Sequence, residues 1–376
     1  MKRNLIIGSS IISLPIIYNF NNFKTNNNIN NENNKNKENL IIVGNGYASH
    51  YLQKNIDNNK YNKKIISNNK NTLHTPELVK SLYKDKLPYL SNNIKSNEFI
   101  NDKIINLNFE NKELEGEKGV YNYDKVVFCV GSETNDFNIN GVKEYAFKFK
   151  TEEDRNKLKE KLKDEIIKNI VIIGSGAVGV ELASLLNSKG YKITIIEGMK
   201  EILPGYNNNT KEEIEKYLEE KEIKLIKENF VKEINETKVK TNKNEFDYDL
   251  VIWSGGIKFN GYENTILYKT LKDKAKITPR GINVNDDFSI DNDIYILGDS
   301  VANKGPPTAQ NAKNQALWLS KYLNDKNNNK KIENFKVIEK GKLLHLENKV
   351  YIESKYYNGY IIKSISYIID YLIKIM

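Results

Sequence analysis

Two glycine-rich turns, each placed between an apolar run and a helical pattern, constrain the fold more than any other feature of the sequence. The first is IIVGNGYASHYL at residues 41–52, and the second is VIIGSGAVGVELA at residues 171–183. In such turns, backbone N–H groups at a helix N-terminus bind a pyrophosphate. A third segment, YILGDSVANKGPPTAQ at residues 295–310, places Gly-Asp after an apolar strand. This order predicts an α/β chain with two Rossmann-like dinucleotide-binding domains.

Apolar runs alternate with helical patterns from residue 38 onward, and this alternation indicates parallel sheets. Strands are predicted at 39–43, 64–67, 123–130, 170–173 and 192–197, and helices at 51–57, 152–168, 178–189 and 210–220. A small meander is expected within residues 78–125. The apolar run at residues 293–298 is expected to return to the first sheet, so that the second domain interrupts the first.

The predicted domain boundaries follow from this return. The first dinucleotide-binding domain is expected at residues 38–150 and 285–330, with the second inserted at 151–284. Residues 331–376 are expected to add C-terminal strands and an amphipathic helix. Residues 1–37 are interpreted as a targeting segment followed by a low-complexity linker that cannot bury enough apolar surface to fold.

The N-terminal segment is basic and apolar, and no acidic residue precedes Glu32. This composition is typical of an imported presequence. A secretory signal is the alternative, although the segment shows no clear cleavage site of small residues. The apolar run is also short for a membrane span and is interrupted by Pro15.

The C-terminal segment at residues 361–376 has a helical pattern with one wide apolar face. Its polar residues recur at intervals of three or four, at Lys363, Ser366, Asp370 and Lys374. The charges are too frequent for a membrane span, and the pattern therefore predicts a helix that lies in the membrane interface. Packing against its own domain or against a dimer partner is the alternative.

The positive charge of the chain does not indicate a nucleic-acid-binding protein. The formal net charge is +9, but only three arginines contribute to it, and the lysines are dispersed among asparagines. A phosphate-binding face usually clusters basic residues and includes arginine. An anionic membrane surface is a better match to this charge.

The single cysteine, Cys129, excludes one class of flavoenzyme. It lies in the apolar run YDKVVFCVG, where a small buried side chain is expected. A redox disulfide needs two thiols, and one chain of this sequence cannot form one. Electrons that reach a flavin in this protein must therefore pass to an external acceptor.

Several segments together resemble the mitochondrial single-subunit type II NADH:quinone oxidoreductases, also called alternative NADH dehydrogenases. The resemblance covers roughly residues 38–376. It rests on GNGYASHYLQKNIDNNKYNKKIIS, YDKVVFCVGSETNDFNINGVKEYA, IIGSGAVGVELA, LVIWSGGIKFN and DIYILGDSVANKGPPTAQNAKNQALWLSKYL. The Gly-Asp…PPTAQ part is the most specific. The resemblance implies FAD as cofactor, NADH as hydride donor and a quinone as acceptor. No metal site is evident in the sequence.

The resemblance also implies which residues contact FAD. They are Gly44, Gly46, Ser49, Ser67, Thr75, Gly131, Asp299 and Ala309. Gly44 and Gly46 permit the tight turn and the close backbone approach to the pyrophosphate, and Ser49 stands at the third small position. Ser67 stands where many such domains carry a ribose-binding acid. Asp299 is expected to bind the ribityl chain, and a helix N-cap is its alternative role.

The second turn is expected to bind NADH through an intact GxGxxG. The implied residues are Gly174, Gly176, Gly179, Glu197 and Gly256. Glu197 ends the next strand, where a carboxylate accepts hydrogen bonds from the adenosine ribose. A negative charge there disfavours the 2′-phosphate of NADPH. Glu181 resembles the family glutamate between nicotinamide and flavin, and its alternative is an exposed acid in the first helical turn.

The acceptor side is expected at the helix that follows PPT. By resemblance, Ala309 and Gln310 face the flavin, and Asn314 occupies the position of a second family glutamine, one turn later. These amides would line the quinone pocket. The catalytic residues implied by the resemblance are therefore Glu181, Gln310 and Asn314.

These features together predict a mitochondrial, FAD-containing NADH dehydrogenase that is peripheral on the inner membrane and reduces a quinone without pumping protons. The C-terminal helix would contact the membrane surface, and the chain could form a homodimer. One alternative is an oxidoreductase that resembles apoptosis-inducing factor or a ferroptosis suppressor. The other is a nucleotide-binding scaffold that has lost turnover.

Overall fold

The computed structural model describes residues 37–91, 94–259, 271–325, 332–354 and 357–362. The predicted targeting segment and nearly all of the predicted C-terminal helix lie outside these residues. Within the described ranges, no helix is both long enough and apolar enough to cross a membrane.

Six helices and twenty-four strands are labelled in chain order within these described ranges. The helices are α1 (Tyr47–Asn55), α2 (Val142–Tyr145), α3 (Glu152–Lys161), α4 (Ala177–Asn187), α5 (Asn208–Glu220) and α6 (Ala309–Asp325). The first twelve strands are β1 (Glu38–Val43), β2 (Tyr61–Ile66), β3 (Phe99–Ile100), β4 (Ile104–Asn108), β5 (Glu113–Gly116), β6 (Val120–Asn122), β7 (Lys125–Phe128), β8 (Ser132–Thr134), β9 (Ala146–Lys148), β10 (Asn169–Ile173), β11 (Lys192–Ile196) and β12 (Lys224–Ile226). The others are β13 (Val231–Ile234), β14 (Lys238–Thr241), β15 (Glu245–Asp247), β16 (Leu250–Trp253), β17 (Ile257–Phe259), β18 (Ile277–Thr278), β19 (Gly281–Ile282), β20 (Ser289–Asp291), β21 (Ile294–Ile296), β22 (Lys342–His345), β23 (Lys349–Glu353) and β24 (Asn358–Ile362).

The first sheet has the strand order β20-β21-β7-β1-β2-β3. Its central strands are parallel and almost fully buried, with Leu40, Ile42 and Val127 each at 0% exposure. Strands buried on both faces require the continuous apolar runs that the sequence shows. Strand β21 pairs in parallel with β7, so the chain does return to the first sheet.

The second sheet has the strand order β12-β11-β10-β16-β9 and is also parallel. Strands β10, β11 and β16 form its centre, and Ile172, Ile195 and Ile252 are fully buried there. Helix α4 follows β10 directly, as the glycine turn predicts. Each of the two glycine turns thus lies at the carboxyl end of a central strand, where open parallel sheets bind ligands.

The smaller sheets complete the fold. Strands β4, β5 and β6 form the antiparallel meander expected within residues 78–125. The C-terminal strands β22, β23 and β24 form another antiparallel sheet, which packs on α5. The Oγ1 of Thr210 donates to Glu353 at 2.6 Å, and the rings of Tyr217 and Tyr360 lie 6.5 Å apart. The final strands are therefore anchored to the half of the molecule that carries the second turn.

Three predicted helix limits are wrong. Helix α1 begins at Tyr47 rather than at residue 51, because Gly46 serves as its N-cap and the helix follows the turn without a gap. Helix α3 begins as predicted, with a Thr151–Asp154 capping box, but ends at Lys161. Residues 361 and 362 belong to β24, where pairing with β23 replaces the predicted start of the C-terminal helix. The remainder of that helix lies outside the described residues.

Candidate functional site

The first glycine turn has the backbone geometry that a pyrophosphate site needs. Gly44 has φ +100°, and a Cβ there would approach within 2.9 Å of the Cys129 carbonyl carbon. A Cβ on Gly46 would meet no atom within 4 Å, so the space in front of the turn is open. Helix α1 has no acidic residue in its first turn, which leaves its positive N-terminal end for an anion. The turn therefore fits a dinucleotide phosphate.

Ser49 and Asn45 lie behind this turn. Ser49 is completely buried, and its hydroxyl has no hydrogen-bond partner among the described residues. Asn45 is buried to 8% exposure, and its Nδ2 donates to the carbonyls of Asn69 and Lys70 at 3.1 and 2.8 Å. Asn45 thereby holds the loop after β2 against the turn. The sequence analysis missed Asn45, because the residue between two glycines has no pattern of its own.

Ser67 and Thr75 flank the same loop. The Oγ of Ser67 accepts from the Asn69 N–H at 3.2 Å, so this side chain stabilises the turn at the end of β2. Thr75 is exposed and begins a 3-10 turn, Thr75–Glu77. The preceding residue, His74, shares a hydrogen bond with the Tyr47 hydroxyl at 2.9 Å, which ties this 3-10 turn to α1.

Asp299 lies beside the end of β7, close to the first turn. Its Oδ2 accepts from the Ser132 hydroxyl at 2.6 Å, and the Ser300 hydroxyl donates to the Gly131 carbonyl at 3.0 Å. The Nζ of Lys150 lies 4.0 Å from Asp299 Oδ2. Asp299 sits inside the 3-10 turn Gly298–Ser300, whose N-cap is Leu297, so the alternative role as a helix N-cap is wrong. The structure brings Asp299, Gly131 and the first turn together.

Gln315 fixes the Gly-Asp turn in place. Its Oε1 accepts from the Gly298 N–H at 2.7 Å, and its side chain is buried to 1% exposure. A Cβ on Gly298 would lie 3.3 Å from the Ala48 Cβ, so the turn contacts α1 as well. The sequence analysis did not single out Gln315. Its position on the buried face of α6 is the only sequence signal that could have found it.

Cys129 is buried, as predicted, to 5% exposure. Burial raises the pKa of its thiol far above the ordinary value, because the thiolate would lose its solvation. Cys129 is thus a core residue at the end of the strand behind Gly44. The protein has no other cysteine.

The second glycine turn repeats the geometry of the first. Gly174 has φ +98°, and a Cβ there would lie 2.7 Å from the Ser254 carbonyl oxygen. A Cβ on Gly179 would collide with the Gly174 carbonyl oxygen, whereas one on Gly176 would meet nothing within 4 Å. Gly256, with φ +135°, ends the WSGG segment, in which Ser254 and Gly255 lie against Gly174. These residues form a second open turn that fits a second dinucleotide.

Glu197 is held against this second turn by the chain itself. Its Oε2 accepts from the backbone N–H and the hydroxyl of Ser175, at 2.8 and 2.6 Å. Its Oε1 accepts from the Met199 N–H at 2.8 Å. The carboxylate therefore lies at the carboxyl end of β11, next to the glycines, where a ribose acceptor is expected.

Glu181 lies on the buried face of α4. It is buried to 7% exposure, and its Oε1 accepts from the His345 N–H in β22 at 2.8 Å. It is not in the first turn of the helix. The alternative reading of Glu181 as an exposed first-turn acid is therefore wrong. Its role between nicotinamide and flavin stays a prediction.

The N-terminus of α6 carries the residues expected on the acceptor side. Thr308 caps this end, because its hydroxyl accepts from the Asn311 N–H at 3.2 Å, and Ala309 is the first helical residue. The Gln310 Oε1 accepts from the Lys340 N–H at 3.0 Å, and the Asn314 Nδ2 donates to the Ile338 carbonyl at 3.0 Å. Residues 338–340 thus cross this end of the helix, a contact that the sequence analysis did not predict.

Within the part of the chain that the structure describes, no group of three or more His, Cys, Asp or Glu side chains could hold a metal ion. Near the turns, the Glu197 carboxylate accepts from the backbone N–H groups of Ser175 and Met199, and the Asp299 carboxylate accepts from the Ser132 hydroxyl.

Comparison with known proteins supports this picture. The chain is similar to a probable mitochondrial NADH-ubiquinone oxidoreductase of Schizosaccharomyces pombe, with 23% identity over 76% of this chain and 62% of the relative. The chain thus spans less than two thirds of that relative. It is also similar to a type II NADH:quinone oxidoreductase of Staphylococcus haemolyticus, with 24% identity over 82% of this chain and 87% of the relative. These relatives confirm the resemblance inferred from the sequence.

A solved structure confirms the predicted fold class. The structure of NDH2 from Plasmodium falciparum in complex with NADH matches with a TM-score of 0.78 and 20% identity, over 90% of this chain and 95% of that chain. The sequence model described as pyridine nucleotide-disulphide oxidoreductase matches residues 38–316. The match covers well over half of the chain and includes both glycine turns and the Gly-Asp turn. The chain therefore belongs to the pyridine nucleotide-disulphide oxidoreductase family.

Proposed function

We propose that this protein is an FAD-dependent NADH:quinone oxidoreductase that does not pump protons. The observation that carries the proposal is the pair of open glycine turns on two parallel sheets, with Asp299 returned to the first turn and Glu197 held at the second. The similarity to type II NADH:quinone oxidoreductases supports the same function.

The residues divide into a flavin side and a donor side. FAD, when bound, supplies a group that accepts a hydride from NADH and passes electrons to a second substrate. The turn from Gly44 to Gly46 would hold its pyrophosphate, and Asp299 would accept hydrogen bonds from its hydroxyl groups. The turn from Gly174 to Gly179 would hold NADH, with Glu197 at the adenosine ribose. With Cys129 buried behind the first turn, no thiol of this chain takes part.

The test is the absorption spectrum of the purified full chain after reconstitution with FAD. The protein should retain a bound flavin through gel filtration, and NADH should bleach the flavin absorbance without oxygen. Addition of a water-soluble quinone should restore the absorbance. A chain that binds FAD but is not bleached by NADH would instead be a scaffold that has lost turnover, and a chain that retains no flavin would refute the proposal.

Donor preference provides the first prediction. NADH should exceed NADPH in kcat/KM by at least about tenfold, or roughly 1.4 kcal/mol, because Glu197 would face the 2′-phosphate of NADPH. Glu197→Gln should narrow this ratio, because it removes the charge. Glu197→Asp keeps the charge and should keep the preference. Equal kcat/KM for the two donors in the wild-type protein would contradict the role of Glu197.

The acceptor is proposed to be a quinone that reaches the Gln310 and Asn314 end of α6. Because a long-chain quinone resides in the bilayer, we place the protein at the surface of a membrane, peripheral on the mitochondrial inner membrane. Its mitochondrial relatives support the organelle. The C-terminal segment at residues 363–376 is proposed to supply the membrane contact. Assembly into a homodimer and the absence of a nucleic-acid partner stay predictions.

Truncation after Ile362 provides the second prediction. It removes residues 363–376 and retains β24, which pairs with β23. The truncated protein should lose co-sedimentation with anionic liposomes, and its turnover with a long-chain quinone should fall by more than about tenfold, because the segment would bury several apolar side chains in the interface. Turnover with a water-soluble quinone is the control and should be retained. Unchanged liposome binding would show that the segment packs on the protein.

A further inference from the structure

Phe137 is an exposed aromatic side chain on an unfavourable backbone. It has φ +51°, and its neighbour Asn138 has φ +54°, a left-handed conformation that bulky residues rarely adopt. The Phe137 side chain is nevertheless 57% exposed, so its own burial does not compensate for this backbone. Such an outlier at a ligand-binding edge is a reason to look for a function.

The surrounding residues hold this conformation in place. The Asn135 Oδ1 accepts from the Phe137 N–H at 2.9 Å, and the Asp136 Oδ1 accepts from the Asn138 N–H at 3.1 Å. The Asn135 carbonyl accepts from the Trp253 indole N–H at 2.7 Å. Because Trp253 is buried to 2% exposure, this segment is fixed to the end of β16.

The ring of Phe137 lies at the mouth of the second dinucleotide site. A methyl group added at Gly256 would lie 3.4 Å from its Cζ, so the ring is next to the Gly256 backbone. The Gly256 carbonyl also accepts from the Asn135 N–H at 3.0 Å. Gly255 is in turn the neighbour of Gly174, since a Cβ on Gly174 would lie 2.9 Å from the Gly255 Cα. Phe137 therefore borders the turn that would hold the NADH pyrophosphate.

The strand order determines which half of NADH lies near Phe137. In the second sheet, β10 is flanked by β11 on one side and by β16 on the other. Glu197 follows β11, and Phe137 lies over the segment that follows β16. A dinucleotide with its pyrophosphate at the end of β10 and its adenosine at Glu197 must therefore extend its nicotinamide half toward Phe137.

We propose that Phe137 is a positioning residue for the nicotinamide half of NADH, with its ring forming one wall beside the nicotinamide ribose and ring. The inference rests on the proposed function, since it assumes that NADH binds at the second turn. An aromatic side chain supplies a large apolar surface and loses little conformational freedom when it already has a fixed backbone. The left-handed backbone keeps the ring at the mouth of the site before the ligand arrives.

The test compares two ligands that share one half. ADP-ribose contains the adenosine and pyrophosphate but lacks nicotinamide, whereas NAD⁺ contains both halves and does not reduce the flavin. Isothermal calorimetry on the full chain reconstituted with FAD should give, for Phe137→Ala, a Kd for NAD⁺ raised by about tenfold. The Kd for ADP-ribose should stay within about twofold. Phe137→Leu, which retains apolar bulk, should give an intermediate Kd for NAD⁺.

Phe230→Ala is the matched control. Phe230 is also an exposed phenylalanine, at 51%, but it lies beside Gly198 on the β11 side. Phe230→Ala should leave the ratio of the Kd for NAD⁺ to the Kd for ADP-ribose equal to that of the wild type, even if it changes both Kd values. The inference is overturned if Phe137→Ala leaves this ratio unchanged, whether it affects neither Kd or raises both by the same factor. If the wild-type protein binds neither ligand, the proposed NADH site itself is wrong.

Discussion

Gly44→Ala is expected to destabilise the protein by about 3 kcal/mol or more. The left-handed backbone at this position costs an alanine roughly 1–2 kcal/mol, and its Cβ would also overlap the Cys129 carbonyl group. The overlap is with backbone atoms of a buried strand, and relief would require β1 and β7 to separate. Urea unfolding of the flavin-free protein, followed by circular dichroism, measures this loss.

Gly46→Ala is the matched control in the same turn. Its Cβ would meet no atom, and Gly46 has φ −89°, which alanine adopts freely. The free energy of unfolding should therefore stay within about 1 kcal/mol of the wild type, and the remaining loss reflects that alanine is a poorer N-cap than glycine. The new methyl group would project at the helix N-terminus, so FAD affinity should fall. Equal unfolding free energies for the two variants would show that the turn can rearrange around Gly44.

Asp299→Ala is expected to lose FAD. Hydrogen bonds that involve a charged group are worth about 1.5–3 kcal/mol, which corresponds to a Kd for FAD raised by roughly ten- to a hundredfold. The substitution also leaves Lys150 without the carboxylate that lies 4.0 Å away. The measurement is flavin retained after gel filtration, followed by titration of the purified variant with FAD.

Ser132→Ala tests whether FAD binding depends on the carboxylate of Asp299 itself or on its orientation by Ser132. This variant removes the 2.6 Å hydrogen bond to Asp299 and leaves the carboxylate in place. If the carboxylate binds FAD directly, Ser132→Ala should retain most of the flavin affinity. Loss of flavin in both variants alike would show that orientation by Ser132 dominates. Full FAD affinity in Asp299→Ala would refute the assignment of Asp299.

The family name includes a disulphide, but this chain has a single buried thiol. Burial raises the pKa of Cys129, so the thiolate form that attacks disulfides is disfavoured. This chain therefore shares with the family the two dinucleotide turns and the sheets that carry them, but it lacks the pair of thiols that a redox disulfide requires. Function in this fold depends on the residues near the turns.

The glycine turns and the central strands could be predicted because their signals are local. A left-handed φ at Gly44 and Gly174 excludes other residues, and burial on both faces requires apolar runs such as those of β1 and β10. The return of the chain to the first sheet could also be predicted, since the apolar run before Asp299 needs a buried neighbour.

The remaining contacts depend on long-range packing, which leaves no local pattern. Asn45, Gln315 and Phe137 act through partners that are 17 to more than 100 residues away in sequence. The crossing of α6 by residues 338–340 is of the same kind, since the amide side chains of Gln310 and Asn314 bond there to backbone groups that any sequence carries. The predicted start of α1 is wrong for a different reason, because the N-cap Gly46 decides it within one turn.

The pairing of β7 with β21 has a consequence for biosynthesis. Val126 pairs with Ile294, so about 170 residues must emerge from the ribosome before one edge of β7 is covered. At roughly 5–20 residues per second, this interval lasts about 10–30 s. During that time an apolar strand edge is open to pairing with other nascent chains. This protein is therefore expected to depend on chaperones during translation more than a protein whose sheets close in chain order.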